Sequence, residues 1–342
     1  MIREHGIKIY GYAIVSEVYY YIHRGNKIIG NDISNVNQGN WDLSDDVYGT
    51  GITCGSLYSI VDGNTVYCNT LMEHGISVCM HGTITNNHII FTENMHSQFY
   101  GIYIQNSVNV PFSRNVLVSN NHIEGNGYSN TGGIAIVGGA EDIENVTVTE
   151  NNIEDVSYFG INGDSGASHC DISHNIINVC YSGVRFDGDY NTISWNKIYG
   201  TTNDGMMLDN MDWSDVSHNL IKDSAAYGMD LYGTWTYTSI SNNRVIDPTN
   251  DGIRFNTISS FSHMDISYNK VKCHWNDAIV LDNVDNSTIS FNHLTNTNSY
   301  GMTENSDCSY NIFIGNNAEG SAGAWDMNGI NSVNSTNLPA MT

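Results

Sequence analysis

Ile193-Ser194-Trp195-Asn196-Lys197-Ile198, Val216-Ser217-His218-Asn219-Leu220-Ile221 and Ile240-Ser241-Asn242-Asn243-Arg244-Val245 are one six-residue phrase written three times. It consists of an aliphatic residue, Ser, a variable residue, Asn, a variable residue and an aliphatic residue. Upstream the phrase is present around Asn87, Asn121, Asn151 and Asn175, and downstream around Asn269 and Asn292. Looser copies centre on Asn31, Asn64 and Asn316. From Asn151 onward successive asparagines are 24, 21, 23, 24, 26, 23 and 24 residues apart. A fixed period of this length is the mark of a repeat architecture. A second anchor runs in phase with it, a Gly followed by an apolar residue: Gly160-Ile161, Gly183-Val184, Gly205-Met206, Gly228-Met229, Gly252-Ile253 and Gly301-Met302, with Ala278-Ile279 in the same place.

The apolar segments are short, rich in β-branched residues and bounded by Gly and Asn, which reads as strands. About 23 residues are too few for a strand–helix–strand unit, and no helical period is present. The number of leucines per repeat is too low for a leucine-rich repeat. If each strand pairs with its equivalent one repeat away, the ladder is satisfied without hairpins. The expected fold is therefore all-β: a single-stranded parallel β-helix, a solenoid of about 12 coils. Repeated Ile and Val at one inward position stack into the core. Repeated Asn at one turn can form a ladder of side-chain amides, or can serve a left-handed turn. The solenoid is expected over residues 1–317. Residues 318–342, where the phrase dissolves into Gly, Ser and Asn, are expected to be a C-terminal cap or tail. Gly6-Ile7-Lys8-Ile9 already reads as an anchored strand, so either a segment once preceded it or residues 10–22 fold over the end.

The phrase resembles the parallel β-helix repeat of the pectate-lyase-like superfamily, which includes NosD-like and other surface or carbohydrate-active proteins. The resemblance covers roughly residues 6–317 and implies a right-handed, three-faced solenoid. It carries no activity with it, because one fold hosts many functions. The polygalacturonase motifs (Asn-Thr-Asp, Asp-Asp, Gly-His-Gly, Arg-Ile-Lys) are not found as a set, and no pectate lyase motif stands out. No catalytic residue is therefore transferred.

Composition narrows the partners. The chain has 342 residues, 12 Lys+Arg and 36 Asp+Glu, for a formal charge of −24. Such a surface does not neutralise a phosphate backbone, which excludes nucleic acid. It suits a neutral or cationic partner, or Ca²⁺ as the one cofactor the acidity admits. Apolar runs are too short for a membrane span, and no signal peptide opens the sequence. The seven cysteines form no CxxC pair and read mostly as small buried hydrophobes, although Cys170 and Cys180 are close enough in sequence to pair.

Alternation along a strand assigns a direction to each side chain. Two residues past the anchor, the outward column reads Asn162, Arg185, Met207, Asp230, Arg254 and Val280. Four residues past it, the column reads Asp164, Asp187, Asp209, Tyr232, Asn256 and Asp282. The face thus gathers Asp164, Asp187, Asp209 and Asp230 as candidate acid, base or nucleophile, with Arg185, Arg254, Asn162, Asn256 and Tyr232 as candidate substrate ligands. Coils stack about 4.8 Å apart, so neighbouring carboxylates should repel and raise a pKa. Asp187 and Asp209 would be about 5 Å apart and Asp209 and Asp230 roughly 8 Å, spanning the retaining and inverting glycosidase ranges. The bland counterpart is a solvated acidic face on an acidic protein.

Three insertions enter one corner beside this face: 20 residues from Asn31 to Gly51, 14 from Asn87 to Gly101 and 12 from Asn121 to Gly133. The first carries Trp41, Asp42, Asp45, Asp46 and Tyr48, and the second carries Glu93, His96, Phe99 and Tyr100. Trp41 and Tyr100 are candidate sugar-stacking residues. The stripe just before each anchor Asn (His174, Trp195, His218, Asn242, Tyr268, Phe291) reads as a stacked ladder or a sugar platform. His88 and His122 stack in one column, but no third ligand shares their register, so no metal site is expected. Two functions follow: an extracellular enzyme, a glycoside hydrolase rather than a lyase, cleaving or binding a polysaccharide, or a non-catalytic cell-surface, adhesion or spike rod. Trimerisation is compatible with either.

Overall fold

The computed structural model describes residues 7–9, 12–15, 18–21, 27–34, 49–54, 58–70, 72–78, 81–105, 114–138, 143–256, 258–320, 323–335 and 338–339. Contacts divide the chain into two compact units, residues 1–171 and 172–342. Each is a parallel β-solenoid, and the described residues contain strands and no helix. Accordingly, no helix among them is long and apolar enough to cross a membrane.

In the first unit the Gly-anchored strands Gly49–Cys54, Met72–Val78, Phe99–Gln105, Thr131–Val137 and Phe159–Gly163 pair in parallel, with Ile52, Ile76, Ile102, Ile134 and Ile161 in one register column. In the second unit the same face is built from Ser182–Asp187, Met206–Asp209, Met229–Tyr232, Ile253–Phe255, Ile279–Leu281, Tyr300–Glu304 and Gly323–Met327. Two further parallel faces run through each unit, and in the second unit Thr234–Thr236, Ser260–Ser262 and Val284–Asp285 add a short fourth parallel sheet. Pairing does not stop where the phrase dissolves: Tyr300–Glu304 pairs with Gly323–Met327, and Ile312–Ile314 with Val333–Ser335. Near the start of the chain, Tyr12–Val15 and Val18–Tyr21 form an antiparallel hairpin instead of a coil.

Residues one and three past the anchor point inward. Met206, Leu208, Met229, Leu231, Ile253 and Phe255 are all fully buried. The anchor itself is Gly for want of space: a Cβ on Gly205 would lie 2.2 Å from Ile221 Cγ2, and one on Gly228 would lie 2.2 Å from Val245 Cγ1. The strand thus enters pressed against the next face of the coil, closer than any side chain permits.

The phrase asparagines are buried and form the amide ladder. In the second unit each donates its main-chain N–H and its Nδ2 to Oδ1 of the next, from Asn175 through Asn196, Asn219, Asn243, Asn269 and Asn292 to Asn316. The second amide hydrogen goes back to a strand carbonyl of the preceding coil, as from Asn196 to Ile172 at 2.7 Å. The first unit repeats this from Asn31 to Asn151. The left-handed residue is the one before each asparagine, including Trp195 (φ 59°), His218 (φ 58°) and Phe291 (φ 53°). That backbone is costly for a bulky residue, and it is held by the buried ladder that follows it.

The stripe before the asparagines faces out. Trp195 stacks on His218 at 4.2 Å and Tyr268 on Phe291 at 5.2 Å. Their ring faces are turned to one another, which suits stacking between coils rather than a sugar platform. Cys170 and Cys180 are buried thiols not joined by a disulfide, so the pairing suggested by their spacing is not formed. Burial pushes the Cys170 thiol up to about 12.

Candidate active site

The second unit brings a group of polar side chains to the outward surface of its Gly-anchored face. Register places Arg185, Met207, Asp230, Arg254, Val280 and Thr303 in one column, and Asp187, Asp209 and Tyr232 in the column beside it. Both columns are those expected from strand alternation.

At the centre is an ion pair. Arg254 Nε donates to Asp230 Oδ1 and Nη2 to Oδ2, each at 2.9 Å, the bidentate fork of guanidinium on carboxylate. Asp230 is almost completely buried, at 1% exposure. The Tyr232 hydroxyl donates to Asp230 Oδ2, and Arg254 Nη1 donates to the Tyr227 hydroxyl. The guanidinium carbon also lies 3.8 Å from the centre of the Tyr227 ring, a cation–π contact. Burial pushes the Asp230 carboxyl above its ordinary range, while the Tyr232 hydroxyl and Arg254 pull it back. Burial, together with the bond to Asp230, also raises the Tyr232 phenol and keeps it protonated.

Three acids that alternation does not single out stand around this pair. Asp204, Asp251 and Asp277 each occupy the position before an anchor, in a column that also contains Ser182, Tyr227 and Tyr300. Each receives the main-chain N–H of the equivalent residue one coil on: Asp204 from Tyr227 at 3.0 Å, Asp251 from Asp277 at 3.1 Å and Asp277 from Tyr300 at 2.8 Å. Asp204 is buried, and burial with the charge of Asp230 pushes its carboxyl up to about 6, against the Tyr227 N–H and Arg254. Asp251 is also pushed up to about 6, by burial and then by Asp277, against the Asp277 N–H and Arg254. One guanidinium therefore serves several carboxyls, two of which hold a proton near pH 6. Strongly perturbed carboxyls gathered around one guanidinium mark this face as a candidate site.

The candidate residues of the sequence separate as follows. Asp230, Arg254 and Tyr232 are in contact. Asp187 and Asp209 are register neighbours, and the Asn210 amide lies 3.4 Å from Asp187 Oδ1. Arg185 stands in register with Met207. Asn256 follows Phe255 at the end of its strand, where its side chain accepts the Ile258 N–H. Asp164 and Asn162 belong to the first unit; Asn162 is buried on the strand Phe159–Gly163, and Asp164 Oδ1 accepts the Ser165 N–H. Tyr100 is not a loop residue. It lies on the strand Phe99–Gln105, is 6% exposed, and packs its ring over Gly132, where a Cβ would meet it at 2.5 Å. The rings of Tyr103, Tyr158 and His74 lie 6.3, 6.4 and 6.5 Å from its own. Phe99 is buried in the same way, whereas Glu93 and His96 are exposed. Trp41, with Asp42, Asp45, Asp46 and Tyr48, lies outside the described residues.

Residues 113–260 match the family model for the right handed beta helix region. Over these residues the parallel solenoid is a right-handed β-helix. Solved β-helix structures resemble it over most of their length. The A-module of the mannuronan C-5 epimerase AlgE6 from Azotobacter vinelandii is 14% identical, with 93% of this chain and 90% of that one covered at a TM-score of 0.61. A variant of the periplasmic alginate epimerase AlgG is 11% identical, with 86% and 80% covered at a TM-score of 0.58. At this identity the likeness is one of fold. Comparison with curated protein sequences gives no match.

Proposed function

We propose that this β-helix acts on a polysaccharide by acid–base chemistry at the Asp230–Arg254 cluster, with Asp204 and Asp251 as the groups that exchange the proton. The observation carrying this reading is that both carboxyls are held up to about 6 on the same outward face, around a single guanidinium. A carboxyl that titrates near the working pH can give a proton and take one back. In glycoside cleavage one such acid protonates the leaving oxygen while a second carboxylate activates water or attacks the sugar. Asp187, Asp209 and Asn210 continue the face and offer acceptors and an amide to sugar hydroxyls. The two epimerases above are named for mannuronan and alginate, and this supports a polysaccharide as the substrate class. The formal charge of −24 favours a neutral polymer, or a uronate polymer bridged by Ca²⁺. Such a substrate would be met outside the cell or at its surface.

The test is a panel of neutral and uronate polysaccharides, with and without Ca²⁺. Release of reducing ends reports cleavage, new double bonds report elimination, and NMR of the recovered polymer reports a change of sugar configuration. Asp204→Asn and Asp251→Asn should each lower the activity found by about 100-fold or more, the typical contribution of general acid–base catalysis. Activity that survives both substitutions unchanged places the chemistry elsewhere. Binding of a glycan without conversion would favour the non-catalytic surface rod.

A further inference from the structure

A second cluster lies in the first unit, on its third face. His88 and His122 are register partners on the strands His88–Phe91 and His122–Glu124. Their imidazoles stack at 4.8 Å and 3°. Glu124 is two residues beyond His122, so both side chains leave the same side of the strand. Its Oε1 lies 2.8 Å from His88 Nε2 and 3.5 Å from His122 Nε2. Glu154, one coil on in register with Glu124, brings its Oε1 to 3.7 Å from His122 Nε2. The donor atoms of His88, His122 and Glu124 all lie within 4.8 Å of one another. His122 Nε2 is buried and has no hydrogen-bond partner, which is rare for a polar atom without a purpose.

We infer that His88, His122 and Glu124 form a binding site for a divalent transition metal, with Zn²⁺ the ion that fits best. Two imidazole nitrogens and one carboxylate oxygen make a borderline donor set, which suits Zn²⁺ and excludes a site specific for Ca²⁺ or Mg²⁺. With bonds of about 2.0–2.2 Å, tetrahedral donors lie roughly 3.4 Å apart. The Glu124–His122 separation of 3.5 Å is already near that value, and the Glu124–His88 separation must widen from 2.8 Å. The imidazoles must tilt toward each other about Cβ–Cγ, and side chains 38% and 37% exposed on an outward face are free to do so. Glu154 or water takes the fourth position. Reading down the histidine column alone does not find this site, because the third donor stands in the adjacent column. The ion would join consecutive coils at the side chains, so it binds the folded chain and not the unfolded one. It has no part in the acid–base chemistry proposed above.

The experiment uses the full chain after treatment with chelator and dialysis. Titration with Co²⁺ should give visible d–d absorption that saturates at one ion per chain and is displaced by Zn²⁺. Zn²⁺ should raise the melting temperature of the wild-type chain. Glu124→Gln keeps size and hydrogen bonding but removes the charged ligand, and His88→Ala removes an imidazole. Each should weaken binding by at least the roughly 10–100-fold that outer-sphere losses cost, and Glu124→Gln should abolish the rise in melting temperature. His174→Ala and His263→Ala, at exposed histidines of the second unit, should leave binding unchanged. Absence of stoichiometric uptake, or equal uptake by the wild type, Glu124→Gln and His88→Ala, overturns the inference and leaves a His88–Glu124 hydrogen bond beside a stacked His122.

Discussion

Replacing Asn219 by Ala tests the amide ladder directly. Asn219 is 1% exposed. Its Oδ1 accepts the Asn196 N–H and Nδ2 at 3.0 Å each, and its Nδ2 donates to Asn243 Oδ1 at 3.0 Å and to the Ile193 carbonyl at 2.8 Å. Alanine removes all four bonds. Asn243 Oδ1 keeps the main-chain N–H of residue 219 at 3.0 Å, so its loss is partial. The two Asn196 donors lose their acceptor in a site that water does not reach. At about 1–3 kcal/mol for each buried donor left unmet, the cost is roughly 2–6 kcal/mol. Asn219→Asp keeps the acceptor but turns a carboxylate oxygen toward Asn243 Oδ1 and the Ile193 carbonyl, so it should cost more at neutral than at acid pH. His218→Ala is the control. That residue has the left-handed backbone and faces solvent, and its loss should cost under about 1 kcal/mol. The assay is denaturant unfolding followed by far-ultraviolet circular dichroism. Because repeat arrays can unfold in sections, it is read together with amide exchange of residues 193–245. A cost below about 1 kcal/mol for Asn219→Ala, or one no larger than for His218→Ala, refutes the reasoning.

Two further predictions concern the candidate site. Arg254→Met should destabilise by about 3–5 kcal/mol at neutral pH, because it strands the buried Asp230 charge, and by less in acid, where Asp230 can take a proton. Arg254→Lys should recover only part of this loss, since lysine has neither the fork nor the flat face set over Tyr227; equal stability of Arg254→Met and the wild type in denaturant at pH 7 would show the pair to be dispensable. The raised carboxyls of Asp204 and Asp251 set a pH dependence. Between about 4 and 6 the folded chain binds protons at these groups that the unfolded chain has released. Their contribution to stability is complete below about 4 and is lost as the pH rises through 6, by up to about 3 kcal/mol for each. Asp204→Asn with Asp251→Asn should therefore flatten this part of the profile; a slope equal to that of the wild type would mean that the two groups titrate normally.

The repeat made the fold legible because each asparagine is buried and bonded to its equivalents, so every coil had to keep it. Gly205 and Gly228 were legible for a similar reason, as the strand enters where no Cβ fits. The columns through Asp187, Asp209, Asp230 and Arg254 followed from simple alternation within a strand. Asp204, Asp251 and Asp277 did not, because the chain bends at the anchor glycine and alternation gives no direction for the residue before it. The signal was nonetheless present in the sequence: that column reads Ser182, Asp204, Tyr227, Asp251, Asp277 and Tyr300. Tyr100 was misplaced because loop length in sequence does not show that a strand starts early, here at Phe99. Glu124 was missed because contacts between side chains run diagonally across columns as well as along them.

The asparagine ladder also has a direction. From Asn175 to Asn316 every side-chain oxygen points back along the chain and every bridging N–H points forward. The amide dipoles therefore add head to tail, as peptide dipoles do along a helix. A row of this kind is electrically unlike at its two ends, with acceptors offered at the earlier end and donors at the later one. A coil gained by duplication must arrive whole and in the same sense, or the row is interrupted and two amides are left facing like poles. Such a solenoid can lengthen or shorten by entire coils while resisting any insertion that shifts the asparagine out of line.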